Sequence, residues 1–440
     1  MAQIDEPTTQ EETEAQTESA ARQAELAVPA ELAAGSIGEY FRASLARIRA
    51  GESGILPVVG GLILISILFQ SLYSKFLTAG NLVNLLVQAA VFSLLAMGEV
   101  FVLLLGEIDL SIGFVAGIGA VTMADLAGPH HNWPWWAAIG AALLATAGIG
   151  LIQGLIITLV GLPAFVVTLA GLLFWQGVLL KILGTGGTIP VNNDVINNIA
   201  SANLSPLAGW IVMLVLVGLF ALMLWRRDSR RRRVGLVVPP LTVTLLKIGG
   251  TLAGGVALVL LCNHDRGIFA PIQGVPWVVL LVVGVLVVWT ILLGRTTLGR
   301  YFYAIGGNAE AARRAGVNLI RIRTTAFLLC SLTAGIAGVV YASRLRSIST
   351  SIDGGTLVLY AVAAAVIGGT SLFGGRGKAV HGVLGGIVIA GIDNGMGLLG
   401  FTAASKFMVT ALVLLAAVTI DHVIPLSVLV TPRCPLLGPA

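Results

Sequence analysis

The sequence is short of charge. Asp, Glu, Lys and Arg make up 11% of its 440 residues, about half the share of an average soluble domain. That excludes an ordinary water-facing globule, because 57% of the residues are hydrophobic and need a surface other than water to cover them. Cysteine is scarce as well. Cys262, Cys330 and Cys434 stand without a CxxC spacing or a histidine partner, so neither a disulfide framework nor a zinc site is implied. The five histidines are equally dispersed. No Ser-His-Asp order, HExxH run or paired acid and base is present, so no catalytic role is expected. The stretch Gly374-Gly375-Arg376-Gly377-Lys378-Ala379 looks like a phosphate loop but has Leu372 where its first glycine belongs. Ala379 stands where a Ser or Thr would hold magnesium, so this chain is not itself an ATPase.

What is abundant is apolar sequence and glycine. Glycine fills 55 positions, well above the usual ~7%, and small residues let membrane helices approach where no hydrophobic effect draws them together. Gly113/Gly117, Gly382/Gly386 and Gly391/Gly395 each share one helix face. Twelve apolar runs follow one another: 55–73, 82–105, 112–127, 135–160, 164–183, 207–225, 234–262, 275–293, 324–342, 357–373, 380–399 and 404–423. A spanning helix takes roughly 20 apolar residues, and several runs are shorter, so the predicted fold is all-α and polytopic with about 10–12 transmembrane helices. The net charge of +5 does not indicate nucleic acid, because the arginines lie between apolar runs and read as topology signals.

Three parts are predicted. Residues 1–50 comprise an acidic, disordered tail, with eight acidic residues and the single base Arg22 before Ala34, and a basic pre-membrane segment. Residues 51–425 form the transmembrane domain, and 426–440 a short C-terminal tail. The start lacks a secretory signal pattern, so the first apolar helix is expected to remain as an anchor. Arg42, Arg47 and Arg49 place the N-terminus in the cytoplasm by the positive-inside rule. Counting crossings puts Arg226–Arg233, the 295–323 loop, Arg376 with Lys378, and Arg433 on that same side. Both termini are thus predicted cytoplasmic. Arg344 and Arg346 fall outside by this count, a reason to suspect a re-entrant segment near them, and 184–206 falls outside too. Trp133, Trp135, Trp136, Trp210 and Trp277 sit at run ends, as interfacial indoles do.

The richest motif lies in the 294–323 loop. Asn308-Ala309-Glu310-Ala311-Ala312-Arg313-Arg314-Ala315-Gly316 predicts a short charged helix ending in a glycine turn. On spacing alone, a solvated connector suits it as well as a docking element. These residues resemble the membrane subunits of bacterial ABC importers for monosaccharides, in the ribose, galactose and xylose branch. The resemblance continues through Gly299-Arg300, Ala304-Ile305-Gly306-Gly307-Asn308, Ile108-Asp109-Leu110-Ser111-Ile112-Gly113, Leu162-Pro163-Ala164-Phe165, Thr168-Leu169 and Val366-Ile367-Gly368-Gly369-Thr370-Ser371-Leu372. It covers roughly 55–423. The Arg-rich insertion 226–250, with its added apolar run, and Ile392-Asp393-Asn394-Gly395-Met396 resemble the xylose branch most.

The resemblance implies an ABC importer permease fold in the bacterial cytoplasmic (inner) membrane, and transport of a monosaccharide, D-xylose being the expected sugar. It implies a homodimer, two copies of a separate ATP-binding subunit that carries ATP and Mg, and an extracytoplasmic sugar-binding protein. No cofactor is expected on this chain. Asn308, Glu310, Ala311, Ala312, Arg313 and Gly316 would form the ATPase-coupling loop. Where Glu107 stands the family usually has an uncharged residue, and no role is assigned to it.

Asp109, Ser111 and Gly113 mark a junction between two apolar runs, where Asp109 or Ser111 is expected to cap the next helix. A sugar in transit needs polar partners and aromatic faces inside the bundle. Asn84, Gln88, Glu99, Phe165, Thr168, Trp175, Gln176, Asp393 and Asn394 are the candidates for the translocation path, with Gln153 and Lys406 near them. Most intramembrane polar residues are expected to serve helix–helix hydrogen bonds. The competing readings are an ion-coupled secondary sugar transporter, using a carboxylate such as Glu99, an ABC permease for another sugar such as ribose or galactose, and a passive channel or scaffold.

Overall fold

The computed structural model describes residues 55–235, 240–267 and 271–413, and the single residues 38, 42, 238, 415 and 419. Apart from residues 38 and 42, the expected 1–50 segment lies outside the described residues, as does the 426–440 tail with Arg433. The chain is an all-α polytopic membrane protein. Among the described residues, eight helices are long and apolar enough to cross a bilayer, and four shorter apolar helices accompany them. Together they occupy the twelve apolar runs.

In chain order the helices are α1 (Ile55–Leu72), α2 (Ala79–Leu103), α3 (Ile112–Ala127), α4 (Trp135–Leu155, extended by a π-turn, Ile156–Val160) and α5 (Ala164–Leu183). A short strand β1 (Thr188–Pro190) precedes α6 (Asp194–Ser201), α7 (Pro206–Arg233), α8 (Leu241–Asn263) and α9 (Trp277–Arg295). Next come α10 (Thr297–Gly307), α11 (Ala309–Arg314) and α12 (Leu319–Leu345). Strand β2 (Ser347–Ser349), α13 (Gly354–Ile367) and α14 (Ala379–Leu398) follow, then α15 (Ala403–Val413). Boundaries depart from the apolar runs where charge or proline intervenes. Helix α7 continues past Trp225 through its arginines, which are good helix formers. The next run reaches back to Val234, but α8 starts only after Pro239-Pro240. Helix α12 begins five residues before its apolar run because Asn318 caps it, accepting the Arg321 amide at 3.0 Å.

Two compact units are present. Trp210–Leu258 forms the smaller, in which Met213 packs at the open face of Gly255 and Asp228 accepts from Thr244 at 3.0 Å. The larger unit closes the gap left by this insertion. Leu204 N donates to Val275 O at 2.8 Å and Trp277 N to Ala202 O at 3.1 Å.

The core of the larger unit is α2, in which every residue from Gln88 to Leu103 is buried. Helix α14 lies against it through Gly382 and Gly386. A β-carbon on Gly382 would fall 2.6 Å from the Met97 nitrogen, and one on Gly386 would fall 2.6 Å from the Ser93 Cα. Helices α3 and α12 cross as closely: a β-carbon on Gly338 would fall 2.0 Å from the Ala116 carbonyl oxygen. Of the other glycine pairs read from the sequence, Gly113 faces the Gly354 backbone and Gly395 the Phe69 ring.

The ends of α12 define two faces. At its start, near α11, Gly375 N donates to Leu104 O at 2.9 Å and Tyr303 OH to Gly377 O at 2.8 Å. The loops before α3, around α10 and before α14 therefore share one face. At its other end β1 and β2 pair antiparallel, with Ile189 opposite Ile348, and Ser343 Oγ donates to Asn197 O at 3.1 Å. Arg344 and Arg346 thus lie on the face of the 184–206 segment, opposite α11. The chain there does not double back as a re-entrant segment: α13 and the 368–378 loop lead it to the α11 face. The break lies elsewhere, in residues 104–111. This segment enters the bundle so that Asp109 N reaches Glu99 Oε1 at 3.0 Å, a turn inside the end of α2.

Replacing Gly386 by valine would drive side-chain atoms into the α2 backbone, where overpacking costs about 1–3 kcal/mol or more. A markedly lower thermal midpoint in detergent, or loss of folded protein from the membrane, is the expected outcome. Gly148→Ala, where a β-carbon meets nothing within 4 Å, should be neutral or raise the midpoint, alanine being the better helix former by about 1 kcal/mol.

Candidate functional site

Helix α11 is short and self-contained. Asn308 Oδ1 accepts the Ala311 amide at 2.9 Å and starts it. Gly316 stops it at φ +84, with Gly316 N donating to Arg313 O at 3.0 Å and Val317 N to Ala312 O at 3.0 Å. This is the left-handed glycine stop that a side chain with a β-carbon disfavours. Ala312 points into the core, while Glu310, Arg313 and Arg314 face out. Arg313 Nε donates to Glu310 Oε2 at 2.9 Å, and Arg314 Nε to Glu310 Oε1 at 3.0 Å. These bonds hold the Glu310 carboxyl below its ordinary range, so it is charged at neutral pH. A capped, charged helix between α10 and α12, with one alanine anchoring it to the bundle, can be gripped by a partner and pass displacement to the helix that follows.

The path candidates fall into three places. The first is a sealed cluster. Glu99 and Asp109 are 0% exposed. Asp109 Oδ1 accepts from Ser111 N at 2.9 Å and Ser111 Oγ at 2.6 Å, and Ser111 Oγ also meets Gln153 Oε1 at 3.1 Å. Asp109 thus receives a backbone amide at the approach to α3, whereas the Ser111 side chain makes no capping bond and turns to α4. Thr168, also sealed, donates to Ala164 O at 3.0 Å. In this conformation Glu99 and Thr168 hold helices together and present nothing to a path.

The second place is partly exposed: Gln88 and Asn394 are buried, Asp393 and Lys406 less so. Gln88 Nε2 donates to Asp393 Oδ2 at 2.6 Å, and Lys406 Nζ lies 3.1 Å from Asp393 Oδ1. Beside them Asn81 Nδ2 donates to Asn394 Oδ1 at 2.9 Å. The Lys406 and Asp393 side chains are 24% and 19% exposed, so this pair can exchange a bond within the protein for one to a hydroxylated ligand. Asn84, on the same helix as Gln88, is exposed. The third place is α5: Phe165 is exposed, and Trp175 and Gln176 are half-buried. The Trp175 indole nitrogen is buried without a partner among the described residues.

Two pairings were not read from the sequence. Asn81 carries the partner of Asn394, and Glu107 forms an ion pair with Arg323 of α12. Opposite charges bordering two apolar runs were the available signal, but 216 residues separate them. Among the described residues no group of three or more His, Cys, Asp or Glu could hold a metal ion.

Comparison with known proteins places this architecture. The family described as branched-chain amino acid transport system / permease component matches residues 81–418. The xylose transport system permease protein of Escherichia coli K12 is 34% identical over 348 residues, covering 79% of this chain and 86% of that protein. That of Haemophilus influenzae is 35% identical over 356 residues, covering 79% and 90%. The ribose import permease protein of Escherichia coli K12 is 31% identical over 361 residues, covering 82% and 91%. No solved structure matches.

The Asp393–Lys406 contact is testable by a double-mutant cycle. Asp393→Asn and Lys406→Met should each lower stability in detergent by about 1–3 kcal/mol, less than for a fully buried pair because water reaches this one. The double variant should lose less than the sum of the two. Strict additivity would mean that the pair contributes no coupling.

Proposed function

We propose that this chain, which belongs to the branched-chain amino acid transport system / permease component family, passes D-xylose across the cytoplasmic membrane as the permease subunit of an ATP-driven importer. It is a monosaccharide-type ABC permease subunit, a multi-pass membrane protein and a transport subunit rather than an enzyme. Xylose is favoured because the xylose permeases of two organisms are 34% and 35% identical to it. The ribose permease at 31% keeps another sugar as the second reading.

The observation that carries the mechanism is α11, capped by Asn308, stopped by Gly316 and anchored by Ala312. Two ATP-binding subunits, holding ATP and Mg, would grip this helix on each protomer of a homodimer. That face is then cytoplasmic, with both termini on it. A sugar-binding protein would deliver xylose to the β1–β2 face. Gln88, Asp393, Asn394 and Lys406 lie nearer that face and would meet the sugar's hydroxyls, with the aromatic residues of α5 as further wall. ATP binding by the partner subunits supplies the differential contacts that shift inward-open against outward-open states. An ion-coupled carrier is disfavoured: Glu99, its expected carboxylate, is sealed and bonded to the Asp109 backbone.

Tagged wild-type chain should bring down an ATP-binding subunit and, in vesicles with its binding protein, take up labelled D-xylose in an ATP-dependent manner. Glu310→Lys adds a third positive charge beside Arg313 and Arg314, and Gly316→Arg forces a side chain into left-handed backbone at about 1–2 kcal/mol. Both should release the ATPase while leaving membrane expression intact. Sugar uptake by the chain alone, driven by an ion gradient, would overturn the importer; uptake of ribose in preference to xylose would overturn the sugar assignment.

A further inference from the structure

We propose that the Glu107–Arg323 ion pair is the positioning contact through which displacement of α11 reaches the broken segment before α3, so that it couples nucleotide hydrolysis to sugar movement. The inference rests on the reading of α11 as the ATPase-docking helix.

Only Val317 and Asn318 lie between the turn after α11 and the start of α12. Val317 is tied back to Ala312 O, and Asn318 caps α12. Arg323 therefore stands on a helix whose first turn is fixed to α11 with no flexible linker between. Its guanidinium reaches out of α12 to Glu107. Glu107 sits in the one stretch of the α2–α3 connection that is not helical, with its own amide on Val102 O at 3.1 Å. Two residues on, Asp109 leads into the sealed cluster with Glu99, Ser111 and Gln153, and the Ile108 carbonyl accepts from Thr168 of α5. The ion pair thus joins the start of α12 to the segment that leads into this cluster, which α12 also meets deeper in the bundle, where Cys330 Sγ lies 3.9 Å from Glu99 Oε2.

The pair is poorly arranged for a purely static role. The Glu107 and Arg323 side chains are only 13% and 32% exposed, yet the second Glu107 oxygen, Oε2, is buried with no hydrogen-bond partner among the described residues. An oxygen removed from water without a partner is destabilising, and an ion pair left half-satisfied is weak support for one fixed structure. A contact that is remade between two states has reason to be incomplete in one of them. The surrounding backbone is irregular: only Leu104 keeps a helical bond, to Val100 O, while the Leu105, Gly106 and Glu107 amides bond back to Val102 and Leu103 as turns.

The test uses the whole transporter, reconstituted with its ATP-binding subunit and binding protein, with D-xylose as the probe. Glu107→Gln, Arg323→Gln and the exchange Glu107→Arg with Arg323→Glu are compared for co-purified ATPase, thermal midpoint, and the ratio of sugar-stimulated to basal ATP hydrolysis. Each single change should leave the ATPase bound and lower that ratio about tenfold, a loss of ordinary size for a coupling contact. The exchange should recover most of it. A ratio unchanged by the single variants overturns the inference. So does an exchange variant that folds and binds the ATPase but stays uncoupled. Should a single variant fail to fold, Glu107→Asp, which keeps the charge one methylene shorter, replaces it, and a wild-type ratio there also counts against the proposal. Wild-type chain that brings down no ATPase overturns the underlying reading, and this inference with it.

Discussion

Lipid removes the force that assembles soluble proteins. Helices surrounded by hydrocarbon gain nothing from hiding leucine, so what fixes their arrangement is how closely backbones approach and which polar groups find each other. In this chain the approach is made by glycine, and α2 is where it converges. Gly382 and Gly386 bring α14 onto its backbone at two successive turns, and Gly338 does the same for α12 against α3. Contacts at such distances leave no room for sliding, since a shift of one residue would put a side chain where only hydrogen fits. The polar groups of the core are positioned by this frame. Glu99 meets the Asp109 amide because α2 has no freedom to rotate.

The same frame explains why polar residues at different depths have different fates. Near the α11 face, α2, α3, α4, α5 and α12 surround Glu99, Asp109, Ser111 and Gln153, with Cys330 of α12 3.9 Å from Glu99 Oε2, and the cluster is sealed. Towards the opposite face α14 turns into α15, and Asp393 and Lys406 meet at the edge of the packed region, where both keep part of their surface. A buried charge without partners would cost several kcal/mol, so both sites are bonded within the protein. Only the second could give up a bond to an arriving hydroxyl without opening the core.

Much of this was legible in the sequence, and the reason lies in particular residues. Hydrophobic runs as long as a membrane is thick report themselves, and 112–127, 135–160 and 164–183 have the same limits as run and as helix: Pro134 and Pro163 stand at the starts of the last two, and Asp109 accepts the Ser111 amide just ahead of the first. The α11 motif was legible because both its start and its stop are local: Asn308 and Gly316 act within four residues of the helix ends. What was not legible is everything set by long-range pairing. Glu107 offers no local reason for its charge until Arg323, on a helix two hundred residues later, is placed beside it. Asn81 looks no more significant than Asn84 until the rotation of α2 turns one towards Asn394 and leaves the other exposed. The pair Arg344 and Arg346 suggested a doubled-back segment because basic residues are uncommon on an outer face; β2 pairing with β1 accounts for their place without one.

Irregular backbone occurs at both faces, and on the β1–β2 side Asn132, Gly184, Gly187, Gly274, Arg346 and Gly400 have positive φ. At the α11 face, α4 ends in a π-turn and Gly161 at φ +77, residues 104–111 leave the α2 helix, and Gly369, Gly374 and Gly375 all have positive φ before α14. At the opposite face the connections are stitched: β1 to β2, α6 to the end of α12 through Ser343, and Leu204 and Ala202 to Val275 and Trp277. Interrupted helical ladders are where a backbone can change direction at least cost, and π-turns in particular gather at working sites. Both faces are cross-bonded, the α11 face by Gly375 N to Leu104 O and Tyr303 OH to Gly377 O. What distinguishes the α11 face is that two long helices, α2 and α4, break there, so that a displacement reaching it would meet interrupted ladders and not continuous ones.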